Sequence, residues 1–142
     1  MPTLFLESSA LARDLVEGEA WLAGELPKYT TLATSALTGL EVGRALDRAI
    51  AAGQVDEATG SERRAVLDGL LARAEILGID SEVMREAGRR FPKEPVRTLE
   101  AIHLASALIW SRSVEPPTVA SCDRRVRENA LALGMEVSPE AG

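Results

Sequence analysis

The stretch Val96-Arg97-Thr98-Leu99-Glu100-Ala101-Ile102-His103-Leu104-Ala105-Ser106-Ala107-Leu108 decides how the rest of this chain is read. Leu99, Ala101, Ile102, Leu104, Ala105, Leu108 and Ile109 cover almost the whole circumference of a helix, the pattern of an element inside a core rather than on its surface. Only Glu100, His103 and Ser106 interrupt it. Recurring every third residue, they form one polar stripe, and Glu100 falls in the first turn behind Thr98, the expected N-cap. A carboxylate so placed is expected to face a polar cavity.

Upstream of this helix, Pro92 and Pro95 bracket a loop, and Asp80-Ser81 can cap a helix reaching Arg90. Downstream, Pro116-Pro117 breaks the chain before a strand at Thr118-Val119-Ala120-Ser121. Asp123 then starts a helix to about Leu133, Gly134 stops it, and Met135-Glu136-Val137 is a short last strand. At the other end, the apolar run Thr3-Leu4-Phe5-Leu6 gives way to the polar step Glu7-Ser8-Ser9, as a strand does when it runs into a helix. Ala10 to Leu26 reads as helical, broken near Gly18 and ended by Pro27. Tyr29 to Thr34 is a β-branched second strand that leads through Ser35 and Thr38 into a helix from about Ala36 to Ala52, stopped by Gly53. A further helix spans Asp56 to Arg73, Ala74 to Ile79 reads as a third strand, and Ser138 to Gly142 reads as a frayed tail. The succession predicts an α/β fold with a mostly parallel central sheet of four to five strands and helices on both faces, because parallel neighbours need crossover connections.

The length of 142 residues suits one domain, residues 1–142, with a core that needs neither disulfide nor structural metal. One cysteine, Cys122, and one histidine, His103, exclude an internal disulfide and a cysteine- and histidine-rich zinc site, so any metal here takes oxygen ligands. A net charge of −6 argues against a non-specific nucleic-acid coat, though not against a nuclease that keeps its acidity in a metal site. No apolar run is long enough to span a membrane, and the N-terminus lacks the basic and hydrophobic regions of a signal peptide. A cytoplasmic location is the expectation.

Four acids stand at comparable places: Glu7 after the first strand, Glu41 shortly after the second, Asp123 after the fourth, and Glu100 at the start of the central helix. In a parallel sheet such positions share the carboxyl edge, where ligands bind. Each acid also has a purely structural reading. Glu41 can be the capping-box partner of Thr38, Asp123 can simply cap its helix, and Glu100 suits the positive end of a helix dipole. Glu7 has the weakest such reading, since a carboxylate between a buried strand and a core helix is costly unless something pairs it. If the four converge, their mutual repulsion calls for a cation, and Mg²⁺ or Mn²⁺ prefers carboxylate oxygens and can activate a water against a phosphodiester. His103 reads first as a buried donor to a neighbour and second as a general base. No nucleophile-elbow sequence surrounds any serine, which leaves a Ser-His-acid hydrolase little support. Arg13, Arg124, Arg125 and Arg127 fall near the same edge, where they could meet substrate phosphates or remain solvated.

Leu6-Glu7-Ser8-Ser9-Ala10-Leu11, Leu37-Thr38-Gly39-Leu40-Glu41, Arg97-Thr98-Leu99-Glu100-Ala101-Ile102-His103-Leu104-Ala105 and Ser121-Cys122-Asp123-Arg124-Arg125 together resemble the PIN-domain ribonucleases, especially VapC-type toxins of toxin–antitoxin systems. The resemblance covers nearly the whole chain. It implies a PIN-like α/β fold, metal-dependent endonucleolytic cleavage of RNA with Mg²⁺ or Mn²⁺ as cofactor, a cognate antitoxin that blocks the site, and a homodimer. By position it implies Glu7, Glu41, Glu100 and Asp123 as the catalytic quartet, with Glu7, Glu100 and Asp123 on the metal. Ser9 and Ser121 would be polar supports, and Arg13 and Arg124 would lie towards substrate. The family pattern most often has aspartate where this chain has Glu7 and Glu100, which keeps the charge and lengthens the arm. An alternative is therefore a catalytically weakened PIN-like module that binds RNA or an antitoxin without turnover.

Overall fold

The computed structural model describes residues 2–140. Five strands form one parallel sheet in the order β3-β2-β1-β4-β5: β1 Thr3–Leu6, β2 Thr31–Ser35, β3 Glu75–Leu77, β4 Thr118–Ala120 and β5 Glu136–Ser138. The helices are α1 Ser8–Leu15, α2 Leu22–Glu25, α3 Ala36–Ala51, α4 Glu57–Arg73, α5 Ser81–Ala87, α6 Thr98–Trp110 and α7 Arg124–Ala132. The predicted parallel α/β architecture is thus the observed one.

Strand alternation builds a layer on each face of the sheet. Leu4 and Leu6 of β1 pack with Leu11, Leu15, Val42, Leu67 and Leu70 from α1, α3 and α4. Phe5, pointing the other way, packs with Ala33, Val119, Ala101, Leu104, Trp110 and Val126, so α6 and α7 cover the opposite face. The central helix is therefore a core element, as its composition predicts, with one exception. Leu99 is 47% exposed, because it lies in the first turn of α6 and lines an open groove.

Register fixes the site. Leu6 pairs with Thr34 on one side and with Ala120 on the other, so the next residues, Glu7, Ser35 and Ser121, emerge together at the carboxyl edge of the three central strands. The β5 neighbour Ser138 pairs with Ala120 and donates from Oγ to Glu25 at 2.8 Å. It belongs to the sheet rather than to a frayed tail, of which residues 141–142 lie outside the described residues.

Several boundaries differ from the sequence reading for local reasons. The helix expected over Ala10 to Leu26 is two short helices separated at Gly18, whose φ of +80° suits only glycine without strain. Pro27 sits inside a 3₁₀ turn, Leu26–Lys28. α3 opens at Ala36 because the Ser35 hydroxyl accepts the Leu37 N–H at 3.2 Å. Thr38 is consequently inside the helix, buried and hydrogen-bonded to the Thr34 hydroxyl at 2.8 Å, and makes no capping box with Glu41. The N-cap of α6 is Arg97 rather than Thr98, since the Glu100 carboxylate itself accepts the Arg97 N–H at 2.8 Å. No helix among the described residues is long and apolar enough to cross a membrane.

Candidate active site

A groove of about 470 Å³ runs across the carboxyl edge of the sheet, and Glu7, Glu41, Glu100, His103 and Asp123 all line it. The sequence-remote acids thus share one concavity. Within it they fall into three hydrogen-bonded systems.

Glu7 caps α1 and is 4% exposed. Its Oε2 accepts the Ser9 N–H and the Ser8 hydroxyl, both at 3.0 Å, and its Oε1 accepts the Ser121 hydroxyl at 2.6 Å and the Ser9 hydroxyl. Four donors match the roughly four lone-pair sites of a carboxylate, so this buried charge is satisfied by the protein itself. Ser9 Oγ also accepts the backbone N–H groups of Cys122 and Asp123 at 2.9 and 3.1 Å, and Ser121 Oγ accepts the Asp123 N–H at 3.0 Å. Glu7, Ser9 and Ser121 therefore pin the β1–α1 junction to the β4–α7 junction.

Asp123 caps α7, its Oδ1 accepting the N–H groups of Arg125 and Val126 at 2.9 and 3.0 Å. Both readings of this residue hold together: it is a helix cap and it faces the groove. Its carboxyl neighbours that of Glu100 on the groove wall. The neighbouring Asp123, with burial second, raises the Glu100 carboxyl above the ordinary glutamate range. Burial works to raise Asp123 too, but Glu100 and the two backbone N–H groups outweigh it and hold its carboxyl below the ordinary range. Two carboxyls so placed repel when both are charged, and a cation between them would relieve that repulsion.

Glu41, on α3, has its Oε1 2.6 Å from His103 Nε2 on α6. His103 is 2% exposed, and its Nδ1 is buried without a hydrogen-bond partner among the described residues. The ring hydrogen therefore belongs on Nε2, donated to Glu41, with the Ser8 hydroxyl 3.4 Å away. The histidine orients the acid.

Among the described residues no three His, Cys, Asp or Glu side chains stand together as a metal-binding group. The donor set nonetheless suits a hard divalent cation at one point, the Glu100–Asp123 pair, whose carboxyls stand where the groove meets the adjoining depression. Of the arginines singled out from sequence, Arg13 is ion-paired to Glu19 and donates to Cys122 Sγ at 3.5 Å, away from the groove lining. Arg127 donates to the carbonyls of Ser121 and Pro139 and so braces the β4–α7 turn. Arg124 and Arg125 pair with Glu128 and line an adjoining depression with Arg97, Glu100 and Asp123. Sequence reading missed Arg44 and Arg48, which line the main groove. They follow Glu41 by three and seven residues, the spacing of one helical face, and that signal was available.

A parallel five-stranded sheet with an acidic groove across its carboxyl edge defines an α/β protein whose site lies where open parallel sheets bind their ligands. No protein-family model matches the chain. It is, however, 36% identical over 140 residues to Ribonuclease VapC35 of Mycobacterium tuberculosis, which covers 94% of both chains. The chain belongs to the VapC ribonuclease family. Two solved structures share its fold at lower identity. VapBC2 from Rickettsia felis, bound to a DNA fragment from its promoter, superposes with a TM-score of 0.65 at 11% identity, covering 95% of this chain and 96% of that one. DNA-bound VapBC from Salmonella typhimurium superposes with a TM-score of 0.63 at 17% identity, covering 96% and 97%.

Proposed function

We propose that this protein is a metal-dependent endoribonuclease acting as the toxin of a toxin–antitoxin pair. The observation that carries the reading is the convergence of Glu7, Glu41, Glu100 and Asp123, from four separate stretches of the chain, on one groove at the carboxyl edge of the sheet. The curated relative, named a ribonuclease, supports RNA as the substrate, and the VapBC structures support an antitoxin as partner. A homodimer is part of the same proposal.

Glu100 and Asp123 would hold Mg²⁺ or Mn²⁺, with the Glu7 network keeping the Asp123 backbone in place from below. The bound ion would supply Lewis acidity at the phosphodiester and a more acidic water. The chain supplies the rest. Glu41 is fixed by His103 through Oε1, which leaves Oε2 with no hydrogen bond among the described residues and able to take the proton of an attacking water. Water oxygen bonds to phosphorus, the phosphorus bond to the departing ribose oxygen breaks, and that oxygen takes a proton from solvent. Because Glu100 and Asp123 lie where the main groove meets the adjoining depression, a strand can extend in both directions from the reacting phosphate, as internal cleavage requires. An antitoxin that inserts an arginine or lysine between the paired carboxyls would replace the cation and inhibit.

The absence of a three-acid group among the described residues favours a second reading, a module that binds RNA or an antitoxin without turnover. Cleavage of a mixed set of structured RNAs by purified protein separates the two. Products that form with Mn²⁺ or Mg²⁺, vanish with chelator and return on metal addition are expected from the nuclease. RNA binding with no products in any metal would leave only the binding module.

A further inference from the structure

Arg44 and Arg48 lie one helical turn apart on α3, about 6 Å along the axis, and both line the acidic groove. Both are exposed, and neither guanidinium has a hydrogen bond or ion pair among the described residues. Arg64, on the neighbouring α4, is by contrast held by Asp47 and the Gly43 carbonyl. Beyond the Glu100–Asp123 pair, the adjoining depression of about 510 Å³ carries Arg97, which is exposed and makes no close ion pair among the described residues, although its charge is felt by both acids. The acids thus sit between two basic ends. Leu40, 63% exposed, and Leu99 offer apolar surface on the groove beside the α3 arginines.

The geometry points to a track for single-stranded RNA in which Arg44 and Arg48 grip two successive phosphates on the α3 side of the acid pair and Arg97 grips one beyond it. This inference rests on the ribonuclease reading. Two unpaired guanidiniums one turn apart suit neighbouring phosphates of one strand. The exposed leucines suit the faces of unstacked bases, which a duplex keeps inside its own stack. In a chain with net charge −6 the general field repels RNA, so attraction depends on such local positive groups.

The test is the affinity of a fluorescein-labelled single-stranded RNA in EDTA, read by anisotropy across a salt series, together with cleavage kinetics in Mn²⁺. Wild type is compared with Arg44→Ala/Arg48→Ala, with Arg44→Lys/Arg48→Lys, and with Arg73→Ala/Arg85→Ala, a pair of exposed arginines away from the groove. The α3 alanine pair is expected to weaken binding about tenfold and to lower the salt slope by about 1.4, because each phosphate of a single strand that an arginine neutralises contributes about 0.7. KM should rise with kcat little changed, the lysine pair should recover most of the slope, and the Arg73/Arg85 pair should match wild type. Cleavage by wild type with the α3 alanine pair unchanged in affinity and KM would overturn this inference alone, as would an equal loss in the control pair. Wild type that neither binds nor cleaves RNA would overturn the ribonuclease reading and the track with it.

Discussion

The residue on which most of the site's order depends is Ser121. It is fully buried, donates to Glu7 at 2.6 Å and accepts from the Asp123 N–H, so one hydroxyl joins a buried charge to the helix cap beside it. Ser121→Ala removes a bond to a charged group without enlarging the space for water. It should cost about 1.5–3 kcal/mol in urea unfolding. At the neighbouring pair the pH behaviour has a definite sign. Glu100 is held above its usual range by Asp123 and then by burial, so its contribution to stability is complete below the ordinary glutamate value and is lost as pH rises through its folded value. Asp123 is held low, so its contribution is present above the ordinary aspartate value and is lost as pH falls through its folded value. The metal-free pair is therefore most stabilising between the two steps. Carboxyl carbon NMR should show Glu100 titrating above other exposed glutamates, and Asp123→Asn should bring it down. An unmoved Glu100 in that variant would assign its shift to burial alone.

At the scale of elements, α3 sets where Glu41, Arg44 and Arg48 stand, and its seat against α4 depends on small residues. A Cβ on Gly60 would lie 2.5 Å from Ile50 Cδ1 and 3.1 Å from its Cγ1, whereas a Cβ on Gly69 meets nothing within 4 Å. Gly69→Ala should therefore stabilise by about 0.5–1 kcal/mol through helix propensity alone. Gly60→Ala should destabilise by about 1 kcal/mol as the two helices are pushed apart. Thermal unfolding of the two variants, with shifts of opposite sign, checks the contrast. The elements themselves were legible because apolar runs, caps and glycine stops are local signals: β1, α3, α4 and α7 fall within a residue or two of their sequence reading. What was not legible depended on competition between caps or on the third dimension. Ser35 and Thr38 both offer a helix start, and only the sheet contact of Thr38 through Thr34 decides between them. Leu99 reads as core until the groove that it lines is located. Nearness in sequence to the strand ends points to Arg13, which is paired with Glu19, whereas Arg44 and Arg48 reach the groove only through the placement of α3.

For the molecule as a whole, the parallel sheet is the reason that residues from opposite ends of the chain meet. Placing β1 between β2 and β4 brings Glu7, Ser35 and Ser121 to one edge, and α6, crossing the face behind them, adds Glu100 and His103. A chain of net charge −6 can then concentrate acids at one point and keep unpaired arginines on either side of it. The most direct measurement of this account is single-turnover RNA cleavage in Mn²⁺ by wild type and by Asp123→Asn, purified side by side. Asp123→Asn keeps an oxygen to cap α7 but removes the charge opposite Glu100, so the fold should persist while cleavage falls by about 10²-fold or more. Equal rates from the two proteins would contradict the claim that the Glu100–Asp123 pair is the catalytic centre.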